Sequence, residues 1–181
     1  HRHFRRQRQM CIRDSLNIAS AIEPVLRGEA SGSERNAMLM GSAFAGLAIE
    51  NSMLGAAHAS ANPLTASCGL AHGHAVALML PHVIGMNEED MEARETYAHY
   101  GTLLSSCCGV NWGVRPWVEH LLALADLPPL AKCGVDPSLF SDLAEDATRQ
   151  WTGQFNPRSM KIEDFTVLYE DAFDGGATQD A

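Results

Sequence analysis

The chain has 181 residues, enough to bury a sizeable core, and its composition is ordinary for a globular protein, with 46% apolar and 19% charged residues. No apolar run reaches the roughly 18 uncharged residues that a membrane-spanning helix needs, so we expect no membrane partner. Five cysteines without a CxxC pair, and no recognisable signal peptide, indicate reduced thiols and predict a cytoplasmic protein.

Charge is distributed unevenly along the chain. Residues 1–15 carry five Arg and one Asp, so removing their net charge of +4 from the total of −9 leaves −13 for the remainder. Such an acidic body disfavours binding to nucleic acid or to anionic membranes. We interpret residues 1–15 as a non-native or artefactual arm, because they lack the apolar stripe of a transit peptide and join an acidic domain abruptly. A basic nucleic-acid-binding arm is the alternative.

Helical periodicity begins at Leu16. The pattern predicts a helix over LNIASAIEPVLRGE, followed by a turn at SGSE in which Ser33 caps the next helix. That second helix is rich in Ala, Gly and Ser and is predicted to continue to about Ala61. Its small side chains allow a neighbouring helix to approach closely, so we expect it to be a central helix of a bundle.

A break in the pattern is predicted at NPLTASCG, because Pro63 and Gly69 both disfavour a continuous helix. A second apolar helix is predicted from near His72 to about Met86, with a kink at Pro81.

Four further helical segments follow, in the order EEDMEARETYAHYGTLLSS, RPWVEHLLALADL, DPSLFSDLAEDATRQ and KIEDFTVLYEDAF. The third starts with Asp136 as the N-cap and Pro137 at the first helical position. Residues 176–181 are expected to be a disordered tail. Strand patterns are nearly absent, so the sequence predicts an all-α fold, a helical bundle of about seven helices.

Two histidines stand out once common motifs have been excluded. The chain has no GxGxxG, Walker, GxSxG or HExxH motif, so nucleotide binding by this chain alone is not expected. His58 and His72 lie fourteen residues apart on either side of the predicted break, where a turn can bring their rings together. Neutral imidazoles suit iron, zinc, nickel or copper, but metal sites need three or four ligands. The alternative is a non-catalytic bundle, acting as a binding or assembly module, in which both histidines are structural.

The segment AGLAIENSMLGAAHASANPLTASCGLAHGHAVALMLPHVIGMN strongly resembles the C-terminal domain of the iron-containing alcohol dehydrogenases. Later in the chain, NPR at residues 156–158 and EDFTVLYEDAF resemble the closing loop and helix of that family. The residues of the central segment that fall in register are Ala45, Gly46, Ala48, Asn51, Gly55, His58, His72, Gly73, Leu80, Pro81, Val83 and Asn87.

This resemblance implies that residues 16–175 form a helical, metal-binding C-terminal domain with the dehydroquinate synthase-like architecture of that family. It implies that His58 and His72 are two of four ligands of an Fe2+ or Zn2+ ion, the other two being an Asp and a His on an upstream helix that this chain does not show. NAD(P) is expected to bind mainly to a missing N-terminal domain. The implied reaction is hydride transfer between an alcohol or aldehyde and NAD(P), with this chain alone inactive; a homo-oligomer is left open.

Two positions depart from the family pattern. Asn62 stands where the family usually has a second His that faces the nicotinamide and is proposed to relay a proton. An amide does not exchange a proton near neutral pH as imidazole does, so Asn62 is a candidate for an orienting hydrogen bond instead. Its alternative is a plain helix-end residue before Pro63. Ile49 stands where an aromatic residue usually lines the substrate channel, which bears on substrate preference.

Overall fold

The structure, a computed structural model, describes residues 16–175. Within this range it contains eight α-helices and no strand, which confirms the predicted all-α class. The predicted arm (1–15) and tail (176–181) lie outside the described residues. The helices are α1 (residues 16–26), α2 (Gly32–Ser52), α3 (Ala56–Cys68), α4 (His72–Asn87), α5 (Met91–Cys108), α6 (Val114–Leu124), α7 (Phe140–Arg149) and α8 (Ile162–Asp174).

The prediction of one long second helix is wrong, because the helix is interrupted between α2 and α3. Met53 has a positive φ of 67° with ψ of 171°, and Gly55 is extended and serves as the N-cap of α3. Because Ala is the best helix former, the Ala-rich run predicts one continuous helix, although Gly55 within it is a poor helix former. His58 therefore lies in the first turn of a new helix rather than near the end of a long one.

Pro63 proves a weaker helix breaker than predicted. α3 continues through Pro63 to Cys68 and ends at Gly69, which has φ of 71°. α4 runs through Pro81 to Asn87, close to its predicted bounds, and the predicted kink at Pro81 stays a prediction. Each proline removes one N–H from the helical ladder, and both are buried, so packing offsets the loss. The predicted stop at Gly69 is confirmed and the one at Pro63 is wrong.

The described chain divides into two compact units. The first comprises residues 16–53 and Thr96–Ala125, and so contains α1, α2, most of α5 and α6. Its helix α2 begins with a capping box. The Ser31 hydroxyl accepts from the Glu34 backbone N at 3.3 Å while the Glu34 carboxylate accepts from the Ser31 N at 2.6 Å. The cap is thus Ser31 and not Ser33, because only Ser31 has a Glu three residues on.

The second unit comprises Leu54–Glu95 and residues 126–175. In it, α3 packs against α4 and α7, and α8 packs against α4 and α7. The start of α7 follows the predicted cap, since Asp136 Oδ1 accepts from the Ser138 N at 2.9 Å before the short turn Pro137–Leu139. The largest fully buried side chains of this unit are Tyr169, Phe165, Leu64, Met79, Leu130 and Leu168.

Helix α3 is held from the side by the C-terminal helix. The Tyr169 hydroxyl donates to the Ser60 backbone carbonyl at 2.7 Å, and its ring stacks on Phe140 at a centroid distance of 6.0 Å. Ala56, Ala59 and Ala61 have no exposed surface. The small residues of α3 therefore let neighbouring helices pack directly on its backbone, as the sequence predicted for this segment. None of the helices in residues 16–175 has the length and hydropathy needed to cross a bilayer.

Candidate metal centre

The structure brings His58 and His72 together. His58 is in the first turn of α3 and His72 is the first residue of α4, after the reversal that begins at Gly69. Their ring centroids are 5.4 Å apart and the ring planes are inclined by 52°. The two rings are therefore close to each other in the fold.

The surroundings of His58 favour the form of imidazole that binds metals. Burial lowers the pKa of His58, and the neighbouring positive charge of His72 lowers it further. His58, in the first turn of α3, is half-buried, whereas His72 is exposed at the start of α4. A depressed pKa keeps the ring neutral near pH 7, and a neutral ring offers a lone pair to a metal ion.

The described residues do not contain a complete metal site. Across residues 16–175, no three His, Cys, Asp or Glu side chains lie close enough to one another to hold a metal ion. Cys68 lies between the two histidines in sequence, but burial raises the pKa of its thiol, which disfavours the thiolate that a metal needs. The donor set of the described chain therefore fits two ligands of a transition-metal ion, with the remaining ligands to come from elsewhere.

Asn62 is engaged in a hydrogen bond that the sequence did not reveal. It lies one turn after His58 within α3, so its alternative interpretation as a helix-end residue is wrong. Its Nδ2 donates to Gln150 Oε1 at 2.9 Å. Gln150 is 88 residues away and follows α7 directly, so no local pattern marks it as a partner. Gln150 thus holds the Asn62 amide in place, and an orienting hydrogen bond from Asn62 to a ligand stays a prediction.

A second amide network joins the ends of α3 and α4 to the NPR loop. Asn156 Oδ1 accepts from the Ala56 backbone N at 3.3 Å and from Asn87 Nδ2 at 3.1 Å. Asn156 Nδ2 donates to Asn87 Oδ1 at 2.7 Å and to the Arg158 backbone carbonyl at 2.8 Å. These contacts could not be predicted from the sequence, in which NPR shows only a resemblance to a family loop.

Two further residues, His74 and Ile49, differ in their surroundings. His74, two residues after His72, bonds through Nε2 to the Pro128 carbonyl at 2.8 Å, which is the backbone-bonding role of a structural histidine. Ile49 lies on α2 in the first unit and its side chain is 42% exposed.

The chain is similar to known proteins over most of its length. Residues 7–173 match the family model described as the Fe-containing alcohol dehydrogenase family, C-terminal. The match begins inside the arm that the sequence predicts to be non-native, and that interpretation stays a prediction. A lactaldehyde reductase of Escherichia coli (strain K12) is 31% identical over 172 residues, covering 90% of this chain and 45% of the relative.

A second relative is the probable alcohol dehydrogenase EutG of Salmonella typhimurium, 31% identical over 136 residues, which cover 75% of this chain and 34% of the relative. The solved structure of an iron-containing alcohol dehydrogenase from Thermococcus thioreducens superimposes with a TM-score of 0.81 at 22% identity, covering 93% of this chain and 44% of that one. This structural likeness shows the fold alone. The chain spans less than half the length of the relatives it matches.

Proposed function

The chain belongs to the iron-containing alcohol dehydrogenase family, matching its C-terminal part, and on this premise we propose that it supplies two ligands of a catalytic metal ion through His58 and His72. The enzyme of which it forms part would transfer a hydride between an alcohol or aldehyde and NAD(P). The observation that carries the proposal is the 5.4 Å approach of the two imidazole rings, one of them held neutral by burial.

The proposed roles of the residues follow from their environments. A bound Fe2+ or Zn2+ ion would supply Lewis acidity toward the alcohol or carbonyl oxygen. His58 offers a neutral ring from a packed helix, and His72 offers a more accessible one. Asn62, held by Gln150, would orient a ligand by hydrogen bonding and would not relay a proton. Ile49 would influence which alcohol is preferred, as an aliphatic side chain where the family usually has an aromatic one.

The rest of the active site must come from residues beyond this chain. NAD(P) and two further metal ligands would be held by a preceding domain, so the chain alone should bind metal weakly and should not turn over substrate. The name of the lactaldehyde reductase relative supports an alcohol or aldehyde as the substrate class. The free cysteines among residues 16–175 agree with work in the reducing cytoplasm.

Isothermal titration calorimetry of the 181-residue chain with Zn2+ tests the ligand pair. We expect binding weaker than micromolar in the wild type, and its loss in both His58→Ala and His72→Ala. His99→Ala is the matched control, because His99 is an exposed histidine on α5. Sub-micromolar affinity would contradict a two-ligand edge, and binding that survives both alanine variants would contradict the pair itself.

Long-read sequencing of the source DNA upstream of the Leu16 codon tests the enzyme. An open reading frame that encodes a nucleotide-binding domain and a DxxxH helix is the expected result. A start codon in frame with the Arg-rich arm would instead favour the non-catalytic bundle with structural histidines.

A further inference from the structure

Asn156 uses its whole hydrogen-bonding capacity to join three segments of the second unit. Its oxygen accepts two hydrogen bonds and its NH2 group donates two, to the start of α3, the end of α4 and its own loop. The loop is itself anchored. The Arg158 guanidinium lies 2.9 Å from Asp164 on α8 and 3.3 Å from Glu89, just after α4. Asn156 is therefore a fixed point against which the first turn of α3 can be placed.

The first turn of α3 has no cap of its own. Its N-cap residue is Gly55, which has no side chain to accept from the free backbone N–H groups of that turn. Asn156 supplies this acceptor from a position 100 residues away, through its contact with the Ala56 N. His58 is two residues further along the same turn, with its own N bonded to the Gly55 carbonyl at 3.2 Å. The backbone that carries the His58 ring is thus held by Asn156.

Gly55 is matched to this contact by its size. A Cβ at Gly55 would lie 3.3 Å from Asn156 Oδ1 and 3.8 Å from Asn156 Cα. The first distance is tighter than ordinary packing allows, so a side chain there would push the amide away from the Ala56 N. The glycine and the asparagine therefore form a complementary pair.

We propose that Asn156 is a positioning residue for His58. Asn156 caps α3 from outside the helix and so fixes the His58 ring beside His72. The inference rests on the proposed role of His58 as a metal ligand. Loss of the Asn156 acceptor leaves the first turn of α3 free to fray, and the two rings no longer keep one separation. Asn87, which is buried, contributes by holding the Asn156 amide in one orientation.

The test begins without metal. In the 181-residue chain, NMR measures the nuclear Overhauser effect between the ring protons of His58 and His72. We expect the cross-peak in the wild type, its loss in Asn156→Ala, and its weakening in Gly55→Ala, which disturbs the same contact if Asn156→Ala does not fold. Asn156→Asp keeps an acceptor for the Ala56 N but loses the two donor contacts, to Asn87 Oδ1 and to the Arg158 carbonyl, so we expect it to keep only part of the cross-peak intensity.

Val135→Ala is the control for general destabilisation, because Val135 is a core residue of the same unit, 5% exposed. It should retain the cross-peak. A cross-peak of wild-type intensity in both Asn156→Ala and Gly55→Ala would overturn the inference, as would its equal loss in Val135→Ala.

Zn2+ affinity then separates this inference from the proposed function. If both hold, Asn156→Ala weakens Zn2+ binding several-fold, while Val135→Ala leaves it near the wild-type value. If the cross-peaks behave as expected but His58→Ala leaves Zn2+ binding unchanged, the ligand role fails and the positioning of the ring by Asn156 stands.

Discussion

The hydroxyl of Tyr169 on α8 donates to the backbone carbonyl of Ser60 on α3 over 2.7 Å, although the two residues are 109 positions apart in the sequence. Both are fully buried. The contact ties the last helix of the chain to the helix that carries His58, so it links the stability of the second unit to the geometry of the histidine pair.

Removal of this hydroxyl should destabilise the chain measurably. Tyr169→Phe is expected to lower the free energy of unfolding by about 1–2 kcal/mol, because the buried Ser60 carbonyl loses a donor that water does not replace. Urea denaturation followed by circular dichroism measures the change. Thr166→Val is the matched control on α8, since its hydroxyl bonds only locally to the Ile162 carbonyl, and it should change stability little. Equal losses in the two variants would contradict the special role of Tyr169.

The same tyrosine predicts a loss of stability at high pH. Burial raises the pKa of Tyr169 above its usual value of 10.0, and the nearby Cys68 and Asp146 act in the same direction. The folded protein therefore keeps the proton where the unfolded chain releases it. The resulting stability is fully present below pH 10.0 and is lost as the pH rises further.

Tyr169→Phe has no such ionisation, so its unfolding free energy should fall less steeply than that of the wild type above that pH. Parallel curves for the two proteins, measured by urea denaturation at successive alkaline pH values, would contradict the expectation.

The amide pair of Asn62 and Gln150 should appear as a coupling energy. A double-mutant cycle of Asn62→Ala and Gln150→Ala is expected to give about 0.5–1.5 kcal/mol, the net worth of one hydrogen bond between half-buried groups. The control cycle pairs Asn62→Ala with Arg149→Ala. Arg149 adjoins Gln150 but forms ion pairs with Glu145 and Asp146. Additive effects in the first cycle would show that the 2.9 Å contact contributes nothing.

The Cys108 thiol at the end of α5 should react slowly with an alkylating reagent. Burial, together with the hydrogen bond and charge of Cys107, raises the pKa of Cys108 to about 12, and the Glu23 carboxylate adds to the effect. The Cys108 thiolate is therefore scarce near neutral pH. In the wild-type chain at about pH 8, iodoacetamide should alkylate Cys108 at least about tenfold more slowly than a free cysteine peptide. Mass spectrometry of the quenched reaction measures the rate, and a rate equal to that of the peptide would contradict the raised pKa.

Helix existence could be predicted from the sequence because apolar periodicity and cap residues are local. Asp136 with Pro137 correctly predicted the cap of the short turn Pro137–Leu139, which leads into α7 at Phe140. The break at Met53 was not predicted. Gly55 is a poor helix former, but the Ala-rich residues around it favour a helix, and the room that Gly55 leaves for Asn156 is seen only in the tertiary fold. Pro63 shows the opposite failure, since burial holds in a helix a residue whose local preference is to end one.

The residues of the candidate site also differ in whether they could be predicted from the sequence. His58 and His72 could be found because the segment between them is short and a turn is visible in it. Gln150 and Asn156 lie 88 and 100 residues from their partners, so nothing near them in sequence indicates the contact. Long-range amide pairs of this kind depend on the tertiary fold and leave no periodic or spacing pattern behind.

The dependence of α3 on α8 also sets an order of events during protein synthesis. Translation at about 5–20 residues per second takes roughly 5–20 s to add the 109 residues between Ser60 and Tyr169. Throughout that interval the nascent α3 and α4 have neither the Tyr169 hydroxyl nor the Asn156 amide to hold them. The contacts that hold the helix carrying His58 can therefore form only after α8 has been synthesised.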